Sequence, residues 1–172
     1  MFEMGRRAAL LGLGMLALSG CGFEPLMGRT GSPNAAIESL AAIRIEPIAD
    51  RSGQILRNEL LDQLTPRGRP VAARYVLAVR LQEPRQTLLL RRDDIISRSA
   101  YSAQASYTLR DLRGAPLASG TSSFATDYEI TNSEYATRIS LESARDRVMV
   151  LVANDIRNQL AQTFKQREDA VR

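Results

Sequence analysis

Polar and apolar positions alternate with period two over several stretches of this chain and switch to a helical period over two others. Ile43 and Ile45 against Arg44 and Glu46 predict a half-buried strand within residues 41–48, which Pro47 shortens or places at a sheet edge. Asp50-Arg51-Ser52-Gly53 then supplies turn and cap chemistry, with either Asp50 or Ser52 able to accept from the free N–H groups of a helix start. Ile55, Leu56, Leu60, Leu61 and Leu64 share one stripe and predict a helix over 53–64. Thr65-Pro66-Arg67-Gly68 ends it, because proline disfavours helical geometry in the residue before it. Tyr75, Leu77, Val79 and Leu81 alternate with Val76, Ala78 and Arg80 and predict a second strand over 72–83, stopped by Pro84. The run from Thr87 to Leu90 reads as further extended chain, and Arg91-Arg92-Asp93-Asp94 as a loop or strand end.

The clearest alternation comes next. Tyr101, Ala103, Ala105, Tyr107 and Leu109 face one way and Ser102, Gln104, Ser106 and Thr108 the other, as in a strand with one wet face. Asp111-Leu112-Arg113-Gly114 predicts a hairpin turn, and residues 117–130 should pair antiparallel with the strand before it, with Gly120 suggesting a bulge. From Ser133 or Glu134 to Phe164 the period is helical. Ala136, Ile139, Ala144, Val148, Leu151, Val152, Ile156 and Leu160 form its stripe, Ser133 is its candidate N-cap, and the charged residues 165–172 should fray. Strand, helix, three or so strands and a helix predict an α+β two-layer sandwich. In it two helices pack on one face of a mostly antiparallel four-stranded sheet, and the open face is left for a partner.

The N-terminal region obeys different rules. Arg6 and Arg7 precede an apolar run from Ala8 to Leu18, then Leu18-Ser19-Gly20-Cys21, which is the order of a secretory signal peptide. The run has about eleven residues where a bilayer span needs about twenty, so it should be cleaved rather than stay as an anchor. Leu-Ser-Gly-Cys also resembles a bacterial lipobox, which implies lipidation of Cys21. Cys21 is the one cysteine of the chain and has no intramolecular disulfide or thiolate companion. The expected organisation is therefore a signal peptide over 1–20, a lipidated flexible tether over 21–39, a single α+β domain over 40–164 and a charged tail over 165–172.

Composition narrows the function. The chain has 23 Lys and Arg against 19 Asp and Glu; the leader holds Arg6, Arg7 and Glu3, so 21 against 18 remain, a net charge of +3. Such a mild charge calls for no nucleic acid. Lys165 is the one lysine, and the arginine forks that remain suit phosphate and carboxylate, although a GC-rich genome produces the same bias. Histidine is absent, which removes the usual general base and the commonest metal ligand. There is no phosphate loop, nucleophile elbow or metal-spaced carboxylate cluster, so no cofactor, no metal and no enzyme are expected. Carboxylate chemistry at Asp93, Asp94 or Asp127 is the rival, weakened because adjacent Asp93 and Asp94 would point to opposite sides of an extended chain.

Taken together, several segments resemble the LptE family of lipopolysaccharide-assembly lipoproteins in its alphaproteobacterial form. They are Cys21-Gly22-Phe23 with Pro25-Leu26, the run Arg51 to Leu60, Tyr75-Val76-Leu77, the run Ala105 to Asp111, Gly120, and Tyr135-Ala136 opening a helix that ends near Leu160. Each is weak alone; order, spacing and the lipobox carry the likeness. It implies a lipid anchor in the outer membrane on the periplasmic side, an LptD β-barrel as partner to be plugged and assembled, and help in lipopolysaccharide transport. Within it, Arg85, Arg91, Arg92 and Arg98 are candidates for lipopolysaccharide phosphate, or else a solvated charged loop. Gln54, Arg57 and Asn58 serve either barrel contact or domain structure, and Tyr101, Tyr107 and Tyr128 read as packing residues. The alternative is another periplasm-facing lipoprotein acting as scaffold or binding module.

Overall fold

The computed structural model describes residues 35–65, 72–84 and 97–171. The signal peptide, Cys21, most of the expected tether, the stretch 87–90 and Arg85, Arg91 and Arg92 lie outside the described residues. In chain order the elements are α1 (Ala35–Ala41), β1 (Ile43–Ile45), α2 (Asp50–Leu64), β2 (Tyr75–Gln82), β3 (Ser97–Asp111), β4 (Pro116–Ile130) and α3 (Glu134–Val171). The strands form one sheet in the order β1-β2-β3-β4. β1 and β2 run parallel, joined through α2, and the other two pairs are antiparallel. The fold is α+β, as the periodicity predicts.

Alternation decides which side is buried. Ile43, Ile45, Leu77, Tyr101, Ala103, Ala105, Tyr107 and Leu109 fall on one face and are buried. Leu56, Leu60 and Leu64 of α2 and Ala144, Val148, Met149, Val152, Ala153, Ile156, Leu160 and Phe164 of α3 close over them as one core. The Tyr75 and Phe164 rings meet at 5.0 Å between centroids, tilted by 51°. Burying each of the Val, Leu, Ile, Met and Phe side chains contributes roughly 1.5–3 kcal/mol and each alanine less, which is what holds helices to a sheet whose other face stays wet.

The turn after β3 follows its sequence. Asp111 Oδ1 accepts from the backbone N–H groups of Arg113 (2.9 Å) and Ala115 (2.8 Å), and Gly114 takes a φ of +88°. Ser133 caps α3, its Oγ accepting from the Ala136 N–H at 3.3 Å.

Several expectations are corrected. Among the described residues there are three helices rather than two, because α1 begins within the stretch expected to be linker, runs two residues into the expected domain and packs on α3. α2 starts at Asp50, three residues early, with Ala49 at its N-cap position and no side-chain cap, so neither Asp50 nor Ser52 plays that part; Ser52 is buried instead. Gly120 makes no bulge. It sits in register opposite Tyr107, and the irregularity falls between Leu109 and Arg110. A Cβ on Gly120 would stand 2.6 Å from Gln159 Oε1 and 2.7 Å from the Tyr107 hydroxyl, so the glycine makes room for that pair. α3 continues helical through Val171 rather than fraying at Lys165. Finally, Ile139 and Leu151, placed on the inner stripe by period, are more than two-fifths exposed, while Met149, Ala153 and Ala161 are buried in their place. α3 is contacted from below by the sheet and from the side by α1 and α2, so its buried arc turns along its length.

Candidate functional site: the open face of the sheet

The strand register places every second residue on the face that no helix covers. Across it run Arg44, Val76 and Arg110 in one row, then Ala78, Thr108 and Ser119, then Arg80, Ser106 and Thr121, then Gln82, Gln104 and Ser123. Beyond these come Ser102 with Ala125, Ala100 with Asp127, and Arg98 with Glu129. Alternation forces this composition, since a residue that cannot be buried is tolerated only on the solvated side. The result is a graded surface: exposed Arg44 and Arg110 at one end, Arg80 among hydroxyls and amides in the middle, and Asp127 and Glu129 with Arg98 at the other. Arg44, Arg80 and Arg110 pair with no acid among the described residues, which leaves their forks available to an anion.

At the far end an open cleft of about 310 Å³ is lined by Arg98, Asp127, Tyr128, Glu129, Ser140 and Arg147. Its charges are mixed. Arg147 donates to the Asp127 carbonyl at 3.4 Å, and Ser140 Oγ accepts from the Glu129 N–H at 3.0 Å, so the cleft joins the sheet edge to α3.

Two tyrosines link the layers. Tyr107 donates to Gln159 Oε1 at 2.9 Å; burial, and after it the nearby Asp155, pushes its hydroxyl pKa up. Tyr101 donates to Glu83 Oε2 at 2.7 Å beneath the Arg145 guanidinium, which stands 5.7 Å from the ring centroid and 3.8 Å from Glu83. Burial first, then the hydrogen bond and charge of Glu83, raise the Tyr101 pKa to about 12 against the opposing pull of Arg145. Both phenols are thus held protonated at neutral pH and act as packing residues with satisfied hydroxyls, as the sequence suggests. Among the described residues no group of three His, Cys, Asp or Glu could hold a metal ion. No helix among them is long and apolar enough to cross a membrane.

The candidates read from sequence are not brought together. Arg98 is exposed on β3 at the open face, opposite Glu129. Gln54 and Asn58 are exposed and Arg57 is half-buried on α2, in the helical layer. The Arg57 Nε is buried without a hydrogen-bond partner. The residues missed are Arg44, Arg80 and Arg110. Their signal was present, since each occupies the polar phase of an alternating strand, but only the register shows that Arg44 and Arg110 flank Val76 in one row.

The fold has relatives among solved structures. A lipoprotein from Caulobacter crescentus CB15 aligns with a TM-score of 0.66 at 23% identity, covering 77% of this chain and 96% of that one. A minor lipoprotein from Acinetobacter baumannii aligns at 0.55 with 19% identity, covering 70% and 91%. Rare lipoprotein B from Shewanella oneidensis aligns at 0.50 with 12% identity, covering 75% and 97%. These likenesses establish a shared fold. No curated protein sequence matches the chain. The family model for LptE, lipopolysaccharide-assembly, matches residues 40–170, which span every strand, α2 and nearly all of α3. With that match over most of its length, the chain belongs to the LptE lipopolysaccharide-assembly family.

Proposed function

We propose that this protein is an outer-membrane lipoprotein, anchored through acylated Cys21, that plugs and helps assemble an LptD-like β-barrel and aids lipopolysaccharide transport to the cell surface. Family membership across residues 40–170 is the observation that carries this reading. Physical chemistry supports it in two ways. A sheet whose open face is Ser, Thr, Gln and Arg can rest against the polar, hydrated lumen of a large barrel without burying unsatisfied groups. An anchor of more than one acyl chain, each buried CH2 contributing about 0.8 kcal/mol, holds a domain that has no spanning helix among its described residues.

In this reading Arg98, with Arg85, Arg91 and Arg92, meets lipid phosphate, and Gln54, Arg57 and Asn58 touch the barrel wall. The role is one of binding and plugging, with no catalytic step. Mild detergent extraction should co-purify a large outer-membrane barrel in stoichiometric amount, and depletion should lower both mature barrel and surface lipopolysaccharide. If neither falls, the protein is a scaffold of another envelope complex. Reversing the charge of Arg91 and Arg92 should weaken lipopolysaccharide binding most at low salt, because exposed charges are screened within about 10 Å at 0.1 M; an unchanged affinity would remove those residues from the site.

A further inference from the structure

The β3–β4 turn is the apolar tip of an otherwise basic corner. Asp111 takes the Arg113 and Ala115 N–H groups on Oδ1, its carbonyl accepts from the Gly114 N–H at 3.1 Å, and its own N–H donates to the Ala115 carbonyl at 3.0 Å, so the loop is held in one shape. Leu112 stands on that turn 64% exposed, with Ala115 and Pro116 exposed beside it. One exposed leucine is ordinary on a protein surface; its surroundings are what matter here. Arg113 follows it, Arg110 precedes it on β3, and the register brings Arg44 into the row of Arg110. Arg74 stands at the start of β2, its N–H on the Ala42 carbonyl at 2.9 Å. All four arginines are exposed, and none is in an ion pair among the described residues. The acid in their midst, Asp111, has its Oδ1 engaged by the turn. Glu46 lies further along β1, with its N–H on the Leu77 carbonyl. On the helical side of this end Lys165, Arg167, Glu168 and Asp169 follow Phe164, and their charges cancel. At the opposite end of the face Arg98 is matched by Asp127 and Glu129.

We infer that this corner is a membrane-contact surface, with Leu112 entering the interface of an anionic phospholipid layer and Arg44, Arg74, Arg110 and Arg113 lying among its headgroups. Charge and shape together select this occupant. The arginines are spread over β1, the start of β2, β3 and the turn, and Arg44 and Arg110, two strands apart, stand about 10 Å from each other, which suits a field of headgroups rather than one small anion. The apolar group protrudes instead of lining a recess, so it is suited to entering a soft layer and not to receiving a partner's side chain. Each arginine near an anionic surface strengthens the contact about fivefold at low salt. Four of them with one leucine make a reversible contact, enough to orient a domain already held at a membrane by an anchor. The contact belongs to the protein while no barrel encloses it, and it stands whether or not the plugging role proposed above is correct.

The chain has no tryptophan, so Leu112→Trp in the full chain, reconstituted into vesicles, places a single reporter on the tip. In vesicles of phosphatidylcholine with phosphatidylglycerol its emission should shift to the blue and be quenched by brominated lipid chains; in phosphatidylcholine alone it should stay as in water. Ile139→Trp, at an exposed site in the first half of α3, should stay as in water in both. Raising salt from 0.1 to 1 M shortens the screening length from about 10 to about 3 Å and should remove most of the shift. Replacing Arg44, Arg110 and Arg113 with Gln in the Leu112→Trp chain should do the same, with the melting temperature nearly unchanged because these side chains are exposed. Inorganic phosphate at matched ionic strength should leave the shift in place. An unshifted tip in anionic vesicles would overturn the inference and leave the corner to an acidic protein. So would an equal shift in neutral vesicles, a shift that survives loss of the arginines, or quenching of Ile139→Trp as strong as that at the tip. Reversal by phosphate would overturn it too, since the corner would then be a site for a small anion.

Discussion

Gly120, Tyr107 and Gln159 show how one missing side chain ties strand to helix. The Tyr107 ring lies over the glycine, and its hydroxyl reaches α3 through Gln159, which also donates to the Thr121 carbonyl. Gly120→Ala would set a methyl 2.8 Å from the buried Tyr107 Cε1, so the ring must move and the Gln159 contact must lengthen. Chemical denaturation should report a loss of about 1–3 kcal/mol. Tyr101 makes a different prediction. Its pKa is raised from 10.0 to about 12 in the folded state, so the unfolded chain ionises first. The stabilisation is complete below pH 10 and lost as pH climbs toward 12. Tyr101→Phe should therefore flatten the decline of unfolding free energy over that window; an unchanged slope would mean that Tyr101 titrates normally when folded.

α3 is the element on which the layers depend. Val148, Val152, Ile156 and Leu160 are fully buried over β3 and β4 and against α2. Ile156→Ala should cost about 2–5 kcal/mol by denaturant titration, because a cavity at the junction of helix and sheet cannot collapse freely. The helix start is a smaller matter. Ser133→Ala removes one acceptor from an exposed cap and should cost about 0.5–2 kcal/mol, without altering binding at the sheet. The β3–β4 hairpin was legible in the residues, since Asp111 and Gly114 meet the local demands of the turn. α1 was not: Ala35–Ala41 carries no clear apolar period, and the helix is stabilised by Leu40 entering a core that assembles from distant residues.

For the molecule as a whole, the asymmetry of the sheet is what matters: one face sealed by helices, the other a graded polar surface. Arg44, Arg80 and Arg110 sit on that face without acidic partners among the described residues, so replacing each with Gln should change stability by no more than about 0.5 kcal/mol. Binding to an anionic surface should fall and lose much of its salt dependence, as vesicle sedimentation at two ionic strengths would show. A larger loss of stability would mean that these arginines pack rather than wait for a ligand.

Local periodicity was enough to determine the α+β class, the approximate positions of the strands and long helix, and which phase of β1, β2 and β3 is wet, because burial acts on every second or every third to fourth residue whatever lies opposite. It could not determine partners across the fold. That Gly120 yields to a tyrosine and a glutamine 39 residues on, that Leu151 stays exposed, and that Arg98 stands apart from Gln54, Arg57 and Asn58 all follow from register and helix placement. Those depend on contacts between residues far apart in the chain, and a pattern that repeats every few residues carries no information about them.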